Sequence, residues 1–468
     1  MRKTFFSVII LLVANIFSGR GETITAPESP FGFEPLSIYE FPLKDFPITR
    51  FGAKKCNAEA TQKAFAKAME ACNKAGGGRV VVPPGEWVTG PVAFKSNCNL
   101  HISEGARLVF SDDLKLFPIV RTTWEAMEVL NYSPLIYAFE CENIALTGRG
   151  TIEAKMDLWR EWYGWPESQL AATRKIATMA SIGIPYDQRK AYEEGSMMRP
   201  QFVEFNRCVN VQLSGFRLRN SPMWCLHLFM CKDVWVHNLD VHAEGNNPDG
   251  LDIDMTQHAV VEECEFYSTD DAICFKAGRN KDAWDLATPT QDVVVRNCNI
   301  ENGGSIMTAG SELSGGIMRI YVHHCTGNII SHILRVKTNE RRGGEVCDIL
   351  VEDCHANSCR AVLSINTDVM YQYRTLVPTF EVRKTLIHDL EARNVSTDFA
   401  EVVCEIIGDE EVPVKGIKLN NVHVKEVSKT INKLKNVEDL VMEGIIVDDY
   451  SKSGKKYLAP STRFTQKK

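Results

Sequence analysis

The chain has 468 residues, 44% of them apolar and 24% charged, with a formal charge of -7. This apolar content supports a large buried core and excludes a disordered chain. The acidic balance argues against a nucleic-acid partner, and a polyanionic substrate would need a local basic patch.

At the N-terminus, Arg2 and Lys3 precede an apolar run from Phe5 to Phe17, followed by Gly19-Arg20-Gly21. A basic start, a short apolar run and small residues beyond it read as an export signal. The run is too short for a membrane span. Residues 1–21 are therefore expected to be a cleaved signal peptide, with an uncleaved anchor as the alternative. The mature protein is expected to be exported, periplasmic or extracellular, with no membrane span. No feature of the sequence specifies an oligomer.

Residues 22–50 are punctuated by Pro27, Pro30, Pro35, Pro42 and Pro47. They read as an extended lead-in. Residues 58–74 predict a helix with Phe65, Ala68, Met69 and Cys72 on one face. Gly76-Gly77-Gly78 stops it. This helix is placed to cap the end of the repeat that follows.

The repeat is an apolar-x-apolar strand, a polar turn, and one inward residue. Val211-Gln212-Leu213 leads to Phe216, and Val234-Trp235-Val236 to Leu239. Val260-Val261 leads to Cys264, and Val293-Val294-Val295 to Cys298. Ile320-Tyr321-Val322 leads to Cys325, and Ile349-Leu350-Val351 to Cys354. Weaker copies end at Val395, Val422 and Ile445. Steps of about 20–40 residues built from short β-branched strands mark a β-solenoid, a parallel β-helix over residues 51–450. A β-sandwich is the rival, but Asn-Gly and Asp-Gly hairpin signals are few.

Residues 155–200 interrupt the repeat with Trp159, Trp162, Tyr163 and Trp165 and then a helical stretch. Such an insertion either packs its aromatics on the barrel or walls a cleft with them. The 15 cysteines sit mostly inside apolar runs and read as small buried hydrophobes. Bridges between Cys225 and Cys231, or Cys354 and Cys359, stay open. Residues 451–468 are a polar C-terminal tail, frayed at its end.

The chemistry gathers between Asn247 and Gly278. Asn247-Pro248-Asp249-Gly250 and Asp270-Asp271 stand about one repeat apart. Successive coils lie about 4.8 Å apart, so Asp249 should neighbour the Asp270–Asp271 pair. Carboxyls that close cannot all ionise cheaply, so one holds a proton and serves as an acid. Asp270 is assigned that role, with Asp249 and Asp271 holding and deprotonating water. The plainer reading of an Asp pair is a solvated turn, and a calcium site is a third. Arg335 and Lys337 share one face of a later strand. They suit a substrate carboxylate.

At these residues the chain resembles glycoside hydrolase family 28, the pectin-degrading polygalacturonase family, from about Phe51 to Ile446. The matching elements are Asn247-Pro248-Asp249-Gly250, Asp270-Asp271, Arg335-Val336-Lys337, Asn220-Ser221-Pro222-Met223-Trp224 and the segment from Gly310 to Gly316. The resemblance implies an all-β, single-stranded right-handed parallel β-helix with an N-terminal capping helix and a helical insertion near 155–200. It implies an inverting glycosidase with Asp270 as acid, Asp249 and Asp271 as base partners, and Asn247, Lys276, Arg335 and Lys337 as substrate binders, needing no metal or cofactor. One element departs. The family carries Gly-His-Gly where this chain has Glu301-Asn302-Gly303-Gly304-Ser305-Ile306. Gly304, or Asn302 under a two-residue shift, takes the His position and cannot titrate; His332 is a candidate substitute. This argues against unmodified polygalacturonan as the substrate.

The expected function is exo-acting release of α-linked galacturonic acid, or a related residue, from pectic polysaccharides or oligosaccharides. The alternatives are a β-helix polysaccharide lyase and a non-catalytic β-helix carbohydrate binder.

Overall fold

The computed structural model describes residues 20–450, 457–459 and 462–464. The expected signal segment, apart from its last two residues, lies outside the described residues. No helix among the described residues is long and apolar enough to cross a membrane.

The chain winds as a right-handed parallel β-helix. Leu226–Phe229, Lys232–His237 and Asp240–Ala243 make one turn; Leu251–Asp254, Gln257–Glu262 and Glu265–Ser268 make the next. Each strand pairs in parallel with its counterpart one turn on. The right-handed wind follows from the strand twist, which packs a crossover back onto the sheet in that sense only.

The apolar-x-apolar signal sets the register. Val211 pairs with Val234, and the same position continues through Ala259, Val293, Ile320, Ile349, Leu390 and Ile417. These side chains are buried. Each fully buried aliphatic contributes about 1.5–3 kcal/mol, so the stacked column, not any turn, holds the helix together. Phe216, Leu239, Cys264, Cys298, Cys325 and Cys354 point inward as the repeat predicted. All 15 cysteines are free, so neither of the two bridges left open forms. The thiols of Cys264, Cys298, Cys325 and Cys354 instead donate to the carbonyl two residues back, at 3.2, 3.4, 3.4 and 3.2 Å.

Turns stack as the strands do. Asn97, Asn143 and Asn210 all take left-handed φ, at 63, 53 and 57°. Asparagine tolerates that region better than most residues. Their amides form a ladder, Asn143 Nδ2 to Asn97 Oδ1 and Asn210 Nδ2 to Asn143 Oδ1, each 2.8 Å.

The helix Ala58–Lys74 closes the N-terminal end. Asn57 caps it by accepting from the Ala60 N–H at 2.8 Å. Phe65, Ala68, Met69 and Cys72 enter the main core with Val80, Val82 and Cys98. The lead-in carries an antiparallel pair, Arg20–Ile24 with Leu36–Tyr39. Its Ile24, Ala26 and Leu36 cover an outward apolar stripe of Trp235, Val260, Val294, Tyr321 and Leu350. At the other end, within the expected polar tail, Tyr457–Ala459 and Thr462–Phe464 pair antiparallel with Leu440–Tyr450.

The insertion forms the helices Asp157–Glu161 and Glu167–Ser181. Its aromatics divide between the two roles expected of them. Trp159 packs inside, edge-on to Phe117 at 5.6 Å and Trp162 at 5.3 Å. Trp165 and Leu170 instead line a surface pocket.

Candidate active site

The register brings distant residues into columns on one sheet face. Asp252 pairs with Cys274, Cys274 with Thr308, and Thr308 with Arg335. Beside that column Asp254 pairs with Lys276, and Gly310 with Lys337. Asn247, Asp249, Asp270, Asp271, Lys276, Arg335 and Lys337 all line one pocket of about 320 Å³. The structure thus brings these seven residues to one place, while His332 and Asn302, also singled out by the sequence, lie outside it.

The charges are unevenly shared. Asp271 is buried and its Oδ2 lies 2.5 Å from Lys337 Nζ, while Thr308 Oγ1 is 3.2 Å from its Oδ1. Burial alone would raise its pKa, but Lys337, Arg335 and Lys276 outweigh that and hold the carboxyl well below its usual range. Asp270 is half-buried. Burial and the neighbouring Asp271 charge push its pKa up, with Lys337 and Lys276 too little to offset them. Its Oδ1 accepts from the Asp271 N–H at 3.0 Å, and its carbonyl from the Gly304 N–H at 2.8 Å.

Asp249 is buried with Oδ2 3.1 Å from Lys276 Nζ and no hydrogen-bond partner on Oδ1. Lys276 also reaches Asp252 at 3.3 Å and Glu312 at 3.4 Å, and lies 4.3 Å from the centre of the Trp224 ring. Burial raises Asp249 well above its usual range, against the pull of Lys276. Burial likewise raises Asp252 to about 6. Glu312, although buried, is drawn down to about 2 by Lys276, Arg342 and Arg279. One lysine serving two otherwise weakly compensated acids leaves the Asp249–Asp252 pair inclined to keep a proton.

A calcium reading does not fit. One oxygen each of Asp249 and Asp271 and the Cys274 sulfur lie within 4.8 Å of one another. Calcium takes six to eight oxygens, and here two lysines already sit on the carboxylates.

At the position of the family's histidine, a Cβ on Gly304 would stand 2.0 Å from Asp271 Oδ1, so a side chain there would require the carboxylate to shift. Asn302 Nδ2 donates to the Ser268 carbonyl at 2.6 Å. His332 pairs one turn on with Ser305. It borders an adjoining hollow with Arg335, Arg360 and Ser364, not the pocket of the acids. Burial, then Arg335 and Arg360, keep it neutral.

The rest of the pocket wall, Glu125, Trp165, Leu170, Arg374 and Thr375, closes one end. Trp165 belongs to the insertion that the sequence offered as a cleft wall, whereas Glu125, Arg374 and Thr375 were not legible. Arg279 joins two of these segments, its Nη1 to Glu125 Oε2 and its Nη2 to Thr375 Oγ1 at 2.6 Å. Arg374 lies 5.3 Å from the Trp165 ring centre. Arg279 follows the acidic stretch directly and Glu312 lies inside the Gly310–Gly316 segment, which are the only sequence signals for them.

Comparisons with known proteins agree with this fold. The model of Glycosyl hydrolases family 28 matches residues 135–445. The crystal structure of a hyperthermoactive exopolygalacturonase from Thermotoga maritima is 30% identical, covers 92% of this chain and 96% of that one, and superposes with a TM-score of 0.84. An exo-poly-alpha-D-galacturonosidase of Dickeya chrysanthemi is 25% identical over 64% of this chain and 52% of its own. A protein of Vitis vinifera named as a probable polygalacturonase is 26% identical over 65% of this chain and 59% of its own. The chain thus spans between about half and three fifths of these two curated relatives.

Proposed function

The chain belongs to glycosyl hydrolase family 28, and on that premise we propose that it removes single α-linked galacturonic acid, or closely related, residues from the ends of pectic chains by inverting hydrolysis. The observation that carries the reading is the convergence of Asp249, Asp270 and Asp271 in one pocket that is closed at one end.

Asp270, half-buried and proton-retaining, donates its proton to the leaving glycosidic oxygen as the bond breaks. Asp271, kept ionised by Lys337, takes a proton from the attacking water. Asp249 faces it with an unpartnered oxygen and orients that water. Water held between these two buried carboxyls attacks from the side opposite the leaving group and gives the inverted anomer. Carboxyls within 4.8 Å would by separation alone suit retention, and membership of the family is what supports inversion. Arg335 makes no ion pair among the described residues. With Lys337 it meets a sugar carboxylate. Asn247 and Lys276 complete the ring's contacts.

Exo action follows from the wall formed by Glu125, Trp165, Leu170 and Arg374. The names of the relatives from Thermotoga maritima and Dickeya chrysanthemi point the same way. The N-terminal basic and apolar run supports export to the periplasm or the medium.

The test is digestion of a panel of pectic oligosaccharides, with products identified by mass and the first-formed anomer by proton NMR. One monomer per cleavage, in inverted form, supports the reading. An unsaturated product absorbing in the ultraviolet would make it a lyase. Binding without turnover would make it a carbohydrate binder.

A further inference from the structure

Away from the pocket, the β-helix register assembles a second set of chemically competent side chains. Glu345 and Cys347 lie two apart on the strand Glu345–Glu352, so they share its outward face. Val346 pairs with Ile387 of the next turn, which sets Cys347 beside His388. A carboxylate oxygen of Glu345, the Cys347 sulfur and an imidazole nitrogen of His388 all lie within 4.8 Å of one another. His388 Nε2 is 2.9 Å from Glu345 Oε1. Its other nitrogen, Nδ1, is held by Asp389 Oδ2 at 2.7 Å.

A Glu–His ion pair alone explains the first distance. It explains neither the thiol at the third corner nor the carboxylate behind the ring. Cys347 is 6% exposed, and its nearest polar neighbour is the Asp348 carboxylate at 3.7 Å. The nearby cations are already engaged. Arg319 binds Asp292 at 2.6 Å, and Lys415 binds Glu438 at 3.2 Å. Glu345, Asp348 and Asp389 thus leave a negative local field that favours a cation.

We propose that Cys347, His388 and Glu345 form a binding site for one divalent cation of the zinc class, with Asp389 orienting the histidine. Sulfur, imidazole nitrogen and carboxylate oxygen are the zinc donor set, and tetrahedral zinc holds such donors about 3.3–3.6 Å apart. The three donor atoms already lie within 4.8 Å of one another, close to that spacing. An acid on the far nitrogen of a metal-binding histidine fixes the tautomer that presents Nε2. Glu345 and His388 are partly exposed, which leaves the fourth position to water. The ion would clamp two successive turns, close behind Arg342, which lines the catalytic pocket. It touches no reacting atom, so its effect is on stability.

The experiment is calorimetric titration of the full-length, chelator-stripped protein with zinc chloride, alongside thermal melting. One equivalent bound at micromolar or tighter affinity, with a rise in Tm, is expected. Cys347→Ser and His388→Ala should each weaken binding at least tenfold. Asp389→Asn should weaken it about 10–100-fold through the ring's orientation. Metal-free glycosidase activity should be unchanged in all three, which shows that the variants fold. Binding equal to wild type in both Cys347→Ser and His388→Ala, or no binding by the wild type, overturns the proposal. Calcium chloride in place of zinc should give no heat and no Tm shift.

Discussion

The two hollows that meet at Arg335 are built on different principles. On one side the pocket is walled by three segments that reach over it, around Glu125, Trp165 and Arg374. Its floor is a mesh of buried charges, in which Lys276, Asp249, Asp252, Glu312 and Arg342 hold one another. On the other side the hollow is bordered by Ser331, Ser364, Asn366 and Arg360, with Met370 70% exposed at its rim. On the proposed exo reading, the walled side takes one terminal ring and the other side leaves the remainder of the chain in solvent. Removing a charge from the mesh should therefore cost far more than removing one from the rim.

The largest effect belongs among the acids of the walled pocket. Asp270→Asn keeps the shape but removes the proton donor, and the rate should fall by about 10²–10⁴-fold. The sign of the pH dependence follows from the raised pKa of Asp270. The acid must be protonated to work, so wild-type activity declines as pH rises through that pKa. Residual activity of Asp270→Asn should lack this alkaline decline. Initial rates of reducing-sugar release across pH check both statements. An unchanged alkaline limb in the variant would move the acid's role elsewhere.

Next comes the closed side's mesh. Lys337→Met leaves Asp271 buried with its nearest cation gone, and breaking a buried pair costs about 3–5 kcal/mol. Asp271 has a depressed pKa in the folded protein, so its contribution to stability is present above the ordinary Asp pKa and lost as pH falls. Urea unfolding should therefore show a wide gap between wild type and variant at pH 7 and a narrower one at pH 4. With Lys337 gone, Asp271 ionises less readily. The acidic decline in rate, where the base becomes protonated, should move to higher pH.

The contrast between the two sides also explains what the sequence disclosed. The repeat was legible because an inward position recurs every turn, and Val211, Val234, Val293 and Ile320 each mark it. The acids and cations were legible because a parallel register turns sequence spacing of about one coil into neighbourhood in space. The walls obey no such rule. Glu125 comes from a hairpin, Trp165 from an insertion and Arg374 from a long loop, and only tertiary packing brings them together. The outward stripe of Trp235, Val260, Val294, Tyr321 and Leu350 did break the expected polar alternation. The lead-in hairpin covers it, which was not foreseen from the sequence. Gly304 read as a gap in a motif, although its bare backbone makes room for the Asp271 carboxylate.

Opening the closed end is a smaller perturbation, with an effect on product more than on rate. Trp165→Ala removes the ring that walls the pocket and over which Arg374 lies. Its indole is not part of the main core, so stability should change by less than about 1 kcal/mol. Room for a second ring beyond the scissile bond should let disaccharide accompany the monomer. Timed product analysis on a defined oligosaccharide reads this directly. Monomer alone from Trp165→Ala would mean that Glu125 and Arg374 suffice as the stop.

The smallest effect lies on the open rim, at Arg360. Its Nη2 lies 2.8 Å from Glu405 Oε2, but its side chain is 51% exposed, and Lys433 pairs with the same carboxylate at 2.7 Å. Glu405 therefore keeps a partner when Arg360 is lost. An exposed pair with a ready substitute contributes at most about 0–1 kcal/mol. Arg360→Ala should melt close to wild type and keep kcat, because no atom of Arg360 reaches the pocket of the acids. The guanidinium does border the hollow where the leaving chain lies. A long anionic substrate should bind a few-fold more weakly as KM rises, and a disaccharide should show no change. A fall in kcat on the disaccharide would mean that the two sides are coupled through Arg335, the one residue that lines both. The division between a rigid closed end and a permissive open one would then fail at that residue.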